Sequence, residues 1–332
     1  MGSVLRWLCA CLRVWIAGGV LAVVVLAAAG AVASGPVTAV ACGASTSATV
    51  ANVDAMVASN VYGGELDGTE TKIDMKHVVD ATDLLAAVGA DDRVATLKAV
   101  QGIVYHPFWH IVRLRVLGAS GRVLADFGGP YVIAPVSGIL RYGGLVVGSF
   151  VMSVQDDLGF AKLEHRFVGD AIGIYVGGRR VVEWGGDLPY RAPTVTPVNI
   201  DGVEDGVVTR TYHAFPSGTL SALLAVPTPS AALAAQPCAA VVVAEIGRVA
   251  ERIAARFRPL ASNYIPFVAV VHSYTGAIGI VRIDQRPIAG SEGLGPLSLP
   301  TSGTVNYLGK NWSVFSFAPT PPARIYLLIA HP

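Results

Sequence analysis

The sequence predicts an α+β protein, and three observations predict it. Helical spacing of apolar residues fills positions 47 to 104, a period of two takes over at Trp109, and a second helix-then-strand pattern follows a Pro- and Ala-rich stretch at 227 to 237. A run of helices followed by a meander of strands is the α+β order. Composition agrees, because a chain rich in Val, Gly and Ala with frequent Pro and Gly favours short strands.

The chain begins with a different kind of segment. Arg6 and Arg13 precede VWIAGGVLAVVVLAAAGAVA, Val14 to Ala33, which carries no charge. About 20 apolar residues suffice to cross a hydrocarbon core of roughly 30 Å as a helix, with the arginines left on the cytoplasmic side. The same residues read as a signal peptide, with Ala31-Val32-Ala33 and Ala39-Val40-Ala41 as A-x-A cleavage sites. Thr38-Ala39-Val40-Ala41-Cys42 loosely resembles a lipoprotein box. Residues 1–41 are therefore expected to be a signal peptide or membrane anchor, with the remainder outside the cytoplasm, either anchored or secreted.

No later uncharged run approaches that length. Net charge is +1 and the basic residues are scattered, so nucleic-acid binding has no electrostatic footprint. Cys9 and Cys11 precede the apolar segment, while Cys42 and Cys238 each stand just before a helical pattern in the exported part. An oxidising compartment permits a disulfide between the latter two. Lipidation of Cys42, or two free thiols, are the alternatives.

The first exported helix is expected over 47–62, with Val50, Val53, Val57 and Val61 on one face and Gly63-Gly64 as its stop. A second contains Ile73, Met75, Val78 and Val79. A third, with Leu84, Leu85 and Val88, starts at Thr82-Asp83 and closes at Gly89. Residues 91–104 make one more, with Val94, Leu97 and Val100 inward.

From Trp109 the side chains alternate. His110, Val112, Leu114 and Val116 fall on one face, and Ile111, Arg113, Arg115 and Leu117 on the other. Gly118-Ala119-Ser120-Gly121 turns the chain into a partner strand over 122–127. Strands over 138–142 and 145–154 follow, joined by Gly143-Gly144. The last is apolar on both faces, as a covered central strand would be.

The segment HIVRLRVLGASGRVLADFGG followed by GLVVGSFVMSV resembles the extracytoplasmic Cache sensor domains of bacterial receptors, which share a PAS-like fold. The resemblance covers roughly residues 45 to 165. It implies an antiparallel sheet behind a long N-terminal helix and a pocket for a small metabolite, often a carboxylate or amino acid. Complete receptors carry a second membrane helix and an output domain. This sequence reaches His331-Pro332 with neither, so a stand-alone form acting through a membrane signalling partner is expected.

An internal repeat organises the second half. His165-Arg166-Phe167-Val168-Gly169 followed by Ala171-Ile172-Gly173-Ile174 is echoed by His272-Ser273-Tyr274-Thr275-Gly276 and Ala277-Ile278-Gly279-Ile280. Leu223-Leu224-Ala225-Val226 closes one copy and Leu327-Leu328-Ile329-Ala330 the other. An amphipathic helix begins near Cys238, with Val242, Ile246, Val249, Ile253 and Phe257 inward. The expected organisation is a Cache-like sensor domain over 42–230 and a second, reduced Cache-like α+β unit over 231–332.

Catalytic signatures are missing: no G-x-S-x-G, H-E-x-x-H, P-loop or dinucleotide fingerprint occurs in a suitable context. Ser120 in GASG suits a turn. His106 and His110 have helical metal-ligand spacing, but Pro107 lies between them. No enzyme activity, cofactor or metal is expected. Asp156-Asp157 suits a turn or helix cap, with ligand contact as an intermediate reading. His165 and His272 occupy equivalent repeat positions, which favours a structural role.

Tyr105, Trp109, His110, Arg113, Arg115, Tyr131 and Asp156 are the expected ligand-binding residues. Arginine offers a planar fork to a carboxylate, and aromatic rings enclose an apolar remainder. The function expected is extracytoplasmic binding of a carboxylate or amino-acid-like solute. The alternative is a non-catalytic envelope structural or interaction protein whose Cache-like units have lost the pocket.

Overall fold

The computed structural model describes residues 40–193, 198–200, 203–257, 263–290, 294, 297–319 and 321–330. The apolar segment 14–33, Cys9 and Cys11 lie outside the described residues. Among those described, no helix is long and apolar enough to cross a membrane.

Valine spacing makes the first helix, α1 (Thr46–Asp67), with Val50, Val53, Val57 and Val61 all buried. It runs straight through Gly63-Gly64, where the sequence predicts a stop. A glycine usually ends a helix by turning left-handed, and neither of these does so. The stop comes at Gly68, whose amide donates to the Gly64 carbonyl at 2.9 Å before the chain turns extended. Then come α2 (Thr69–Asp80), α3 (Thr82–Gly89) and α4 (Arg93–Val104). Asp92 caps α4, accepting from the Val94 and Ala95 amides at 2.9 and 3.0 Å. Val94 and Leu97, expected inward, are exposed. Val100 is buried as expected, in company with Thr96 and Ile103, and the Thr96 hydroxyl is satisfied there by donating to the Asp92 carbonyl at 2.6 Å.

Strands β1 (Arg113–Gly118), β2 (Val123–Gly128), β3 (Pro135–Tyr142) and β4 (Leu145–Ser153) form an antiparallel sheet in the order β2-β1-β4-β3. Leu114, Val116, Phe150 and Met152 face the core under α2 to α4. Strand β4 is central as expected, yet it is covered on one face rather than two. Phe150 and Met152 are buried, while Val147, Ser149 and Val151 on the opposite face are only partly so, and the helices reach one side of the sheet.

After α5 (Asp157–Val168) come β5 (Ala171–Val176), β6 (Arg179–Trp184), β7 (Val198–Ile200), β8 (Val203–His213) and β9 (Thr219–Val226), in the sheet order β6-β5-β9-β8-β7. A short helix α6 (Ala231–Ala234) leads to α7 (Cys238–Phe257) and α8 (Tyr264–Thr275). Strands β10 (Ile278–Ile283), β11 (Arg286–Gly290), β12 (Ser302–Tyr307), β13 (Lys310–Phe317) and β14 (Ala323–Ala330) then repeat the same order, β11-β10-β14-β13-β12. The stretch 42–230 thus builds two sheets, and the second of these matches the sheet of 231–332 strand for strand.

The repeat reaches individual residues. Helices α5 and α8 both end on a left-handed glycine, Gly169 and Gly276. His165 Nδ1 and His272 Nδ1 bond the carbonyls of Asp170 and Ala277, each five residues on, at 2.7 and 3.1 Å. Cys42 and Cys238 form a disulfide, 196 residues apart with Cα atoms at 4.6 Å, at the starts of α1 and α7. The same offset of 196 relates the buried faces of those helices: Val50 to Ile246, Val53 to Val249, Val57 to Ile253 and Ala58 to Ala254. Helix α1 packs on α7 and α8 just as α7 packs on α1 and α5. One apolar core runs through this helical centre and reaches the inner faces of all three sheets.

Candidate functional site

The exit from α4 builds a cleft of about 660 Å³ beside the β1–β2 edge. Tyr105, Trp109, His110, Phe127, Tyr131 and Gln155 line it, with Val104, Ile111 and Val112 behind. The path is forced by local hydrogen bonds. Tyr105 caps α4, the Trp109 amide donates to the His106 carbonyl at 3.3 Å, and Val112 joins β4 through the Ser153 carbonyl at 2.9 Å. At Gly128 a side chain would strike the Val112 carbonyl at 2.3 Å, and the residue sits at φ 124°, so glycine is required where β2 leaves the cleft.

Trp109 is half-buried between two imidazoles. His77 of α2 stacks on it at 4.3 Å and His106 at 3.9 Å, with interplanar angles of 9° and 22°. Tyr105 is exposed and meets Phe127 edge-on at 5.2 Å. The His110 amide donates to Asp74 Oδ2 at 3.1 Å, and its ring Nδ1 lies 2.5 Å from Glu70 Oε1. Burial raises the Asp74 carboxyl above its ordinary range, opposed by the His110 amide. The cleft therefore offers aromatic walls, an imidazole backed by α2 carboxylates and the Gln155 amide.

Arg113 and Arg115 share a sheet face as the sequence predicts, but they do not await a ligand. Both guanidinium groups close on Asp126: Arg113 through Nε to Oδ1 at 3.1 Å and Nη2 to Oδ2 at 3.1 Å, Arg115 through Nε and Nη2 to Oδ2 at 3.0 and 2.6 Å. Arg113 also donates to the Tyr131 carbonyl at 3.3 Å and stands 4.4 Å above the Phe215 ring. Burial works to raise the Asp126 carboxyl, and the two arginines outweigh it, holding it below the usual range. The arginines expected to be open are thus paired with Asp126, and neither lines the cleft.

Asp156 does not line the cleft either. Its side chain caps α5, accepting from the Gly159 amide at 2.6 Å. Its neighbour Asp157 accepts from the Val132 and Ile133 amides at 2.8 and 3.0 Å, which fixes the loop that brings Tyr131 over the cleft. Of the seven expected residues, Tyr105, Trp109, His110 and Tyr131 share the cleft. Gln155, Phe127 and the backing acids Glu70 and Asp74 were not anticipated.

No protein-family model and no curated protein matches the chain. Solved structures do, at low similarity. The periplasmic domain of Vibrio cholerae LuxQ matches at a TM-score of 0.31 and 11% identity, covering 55% of this chain and 98% of that one. The ligand-binding domain of the Pseudomonas fluorescens chemoreceptor CtaA, in complex with L-isoleucine, matches at 0.29 and 12%, covering 55% and 93%. The ligand-binding domain of the Pseudomonas aeruginosa PAO1 amino acid chemoreceptor PctC, in complex with GABA, matches at 0.29 and 12%, covering 55% and 99%. At such scores, what this chain binds is argued from its own side chains.

Proposed function

We propose that this protein is an extracytoplasmic binding module for a small organic solute of the carboxylate or amino-acid-like class, not an enzyme, and that it passes the binding event to a membrane partner. The observation that carries the reading is the cleft itself. Four aromatic side chains and a histidine converge there, on backbone fixed by Asp74, Asp157 and Ser153. Concave, mostly apolar sites with a few placed polar groups are where small molecules bind. A planar or aliphatic part would lie against Tyr131 and the edge of Trp109, whose faces are taken by His77 and His106. The polar end would meet His110 and Gln155 rather than Arg113 or Arg115. The uncharged segment from Val14 to Ala33 supports placement outside the cytoplasm.

A thermal-shift series of amino acids and organic acids tests this. At least one compound should stabilise the wild type, and Trp109→Ala should lose roughly one decade or more of affinity for it, a loss of ~1.5–3 kcal/mol. Arg113→Ala should instead lower the unliganded unfolding free energy by ~1–3 kcal/mol, seen as a lower melting midpoint, because Asp126 and the Tyr131 carbonyl lose a donor. If no compound stabilises the wild type, or Trp109→Ala responds as the wild type does, the envelope interaction role replaces the binding role.

A further inference from the structure

The repeat builds one frame twice, and its own side chains fill only one of the copies. The filled copy lies where the end of α5 meets α1 and α7, and the space left in it is about 220 Å³. Asp54, Asp170 and Glu245 are buried there, with Arg248 paired to Asp54 at 3.3 Å and to Glu245. The other copy lies between α1, α7 and the end of α8, beside the last residues of β14, and measures about 610 Å³. The offset of 196 takes Glu245 to Thr49, Arg248 to Asn52 and Arg252 to Met56, and Ala277 stands where the filled copy has Asp170. Shorter, uncharged side chains thus leave open the space that the first copy closes with ion pairs.

The chemistry of this hollow also differs from that of the aromatic cleft, with which it shares no residue. Among the described residues that line it, none is aromatic and none is charged. Val53, Met56, Val242, Ile246 and Ile329 supply the aliphatic surface. Both hydroxyls of the lining are already engaged. Thr49 donates to the Ser45 carbonyl at 2.9 Å, and Thr275 donates to the Val271 carbonyl at 2.6 Å while accepting from the Ala277 amide at 3.2 Å. Asn52, exposed at the rim, is the remaining polar side chain apart from the disulfide-bonded Cys238. A carboxylate or ammonium group seated here would give up water without gaining an ion partner, which is costly. An alkyl chain has no such loss, and its burial is favourable in proportion to the area covered. Met56, unbranched and polarisable, adapts its shape to such a chain.

We propose that this hollow is a second binding site, separate from the aromatic cleft, for an uncharged aliphatic molecule. The alkyl chain lies along Val53, Val242 and Ile246, and a single hydroxyl or carbonyl group meets the Asn52 carboxamide. The volume falls within the ~300–1,000 Å³ of small-molecule pockets. The bound chain spans α1 from one half of the sequence and α7 and α8 from the other.

Calorimetry of the full chain with 1-hexanol, hexanoate and hexylammonium chloride tests this on wild type, Ala239→Phe and Trp109→Ala. The wild type should bind 1-hexanol with a negative heat-capacity change, the mark of apolar burial. Each charged analogue should bind roughly tenfold or more weakly, because its charge has no partner in the lining. Ala239→Phe, which fills the hollow from α7, should lower the affinity for 1-hexanol by about tenfold or more. Trp109→Ala should bind it as the wild type does, so that failure of the cleft does not count against this site. Chloroform extraction of the purified protein then separates two sources of such a chain. A phospholipid carried by the wild type and not by Ala239→Phe makes it a lipid's acyl chain, and equal lipid in both makes it a free compound. No binding of 1-hexanol, as would follow if a second copy of the chain covered the hollow, would overturn the proposal. So would a charged analogue that binds as tightly, or undiminished affinity in Ala239→Phe. The comparison of the three probes needs only the wild type, so a misfolded Ala239→Phe would not protect the idea.

Discussion

The two cavities of the repeat share a frame and part company in four side chains. Where one copy has Thr49, Asn52, Met56 and Ala277, the other has Glu245, Arg248, Arg252 and Asp170. Equivalent backbone, held by equivalent histidines and left-handed glycines, thus carries an apolar hollow in one place and an acid cluster in the other. The difference teaches that helix packing sets the shape of such a site, and that its chemistry is then free to vary. Asp126 makes the same point from the opposite side. One carboxylate with two arginines is a closed clamp, whereas three buried carboxylates around Arg248 leave acceptors in excess.

The harshest way to break the comparison is to remove what both copies share. The Cys42–Cys238 bond ties together the starts of α1 and α7, which wall both cavities. Closing so long a loop contributes up to ~5 kcal/mol in the chain-entropy model, and measured gains are often smaller. Cys42→Ser with Cys238→Ser should lower the unfolding free energy by several kcal/mol on this scale, read by urea denaturation. Non-reducing peptide mapping of the exported wild type should show the pair joined. Two alkylatable thiols, or a diacylglyceryl group on Cys42, would contradict it.

A milder change makes the copies alike. Asp170→Ala gives the charged cavity the residue of its partner, Ala277, and removes a buried carboxyl at the cost of a small void. The backbone carbonyl that holds His165 stays in place. Asp170 makes no ion pair among the described residues, and burying an ionisable carboxyl without such a partner costs stability, so a gain of about 1 kcal/mol is expected near pH 8. A loss of 2 kcal/mol or more there would make Asp170 a structural acid.

The smallest expected effect is a slope. Asp54, Asp170 and Glu164 have folded-state pKa values above their unfolded ones. Above the ordinary carboxylate range the folded protein therefore holds protons that the unfolded chain has released. Stability from these groups is complete below that range and declines as pH rises toward the folded values. The urea midpoint at constant ionic strength should be higher at pH 5 than at pH 8, and the slope should flatten in Asp170→Ala. Asp126 acts with the opposite sign, since its stabilisation is lost only in acid. A midpoint that rises from pH 5 to pH 8 would contradict the buried-proton account.

Much of the frame was legible because apolar spacing is a local signal. The helices after Gly68, the two glycine hairpins of the first sheet and the repeated His-x-x-x-Gly endings follow from neighbours within a few positions. What was missed depends on register and tertiary partners. Between Val116 and Leu117 the β1–β2 pairing shifts, so that Arg115 faces Asp126. Counting back from Leu117 opposite Val123 without that shift would set Asp126 across from Leu114, on the core face. A single extra residue in a strand moves every later side chain to the other face, and the ion-pair clamp was invisible for that reason. The acid cluster left a faint sign: Asp54 stands four residues after Val50 and three before Val57, on the buried stripe of α1. Its partners come from the α5–β5 turn and α7, which no local pattern joins to it.

The aromatic cleft remains the centre of the functional reading, and mass spectrometry of the exported protein addresses it most directly. Wild-type protein, purified without added ligands and denatured, should release a small organic molecule in stoichiometric amount, and Trp109→Ala prepared in parallel should release little or none. Release of nothing from the wild type, or of equal amounts from both, would contradict a solute-binding role for the cleft.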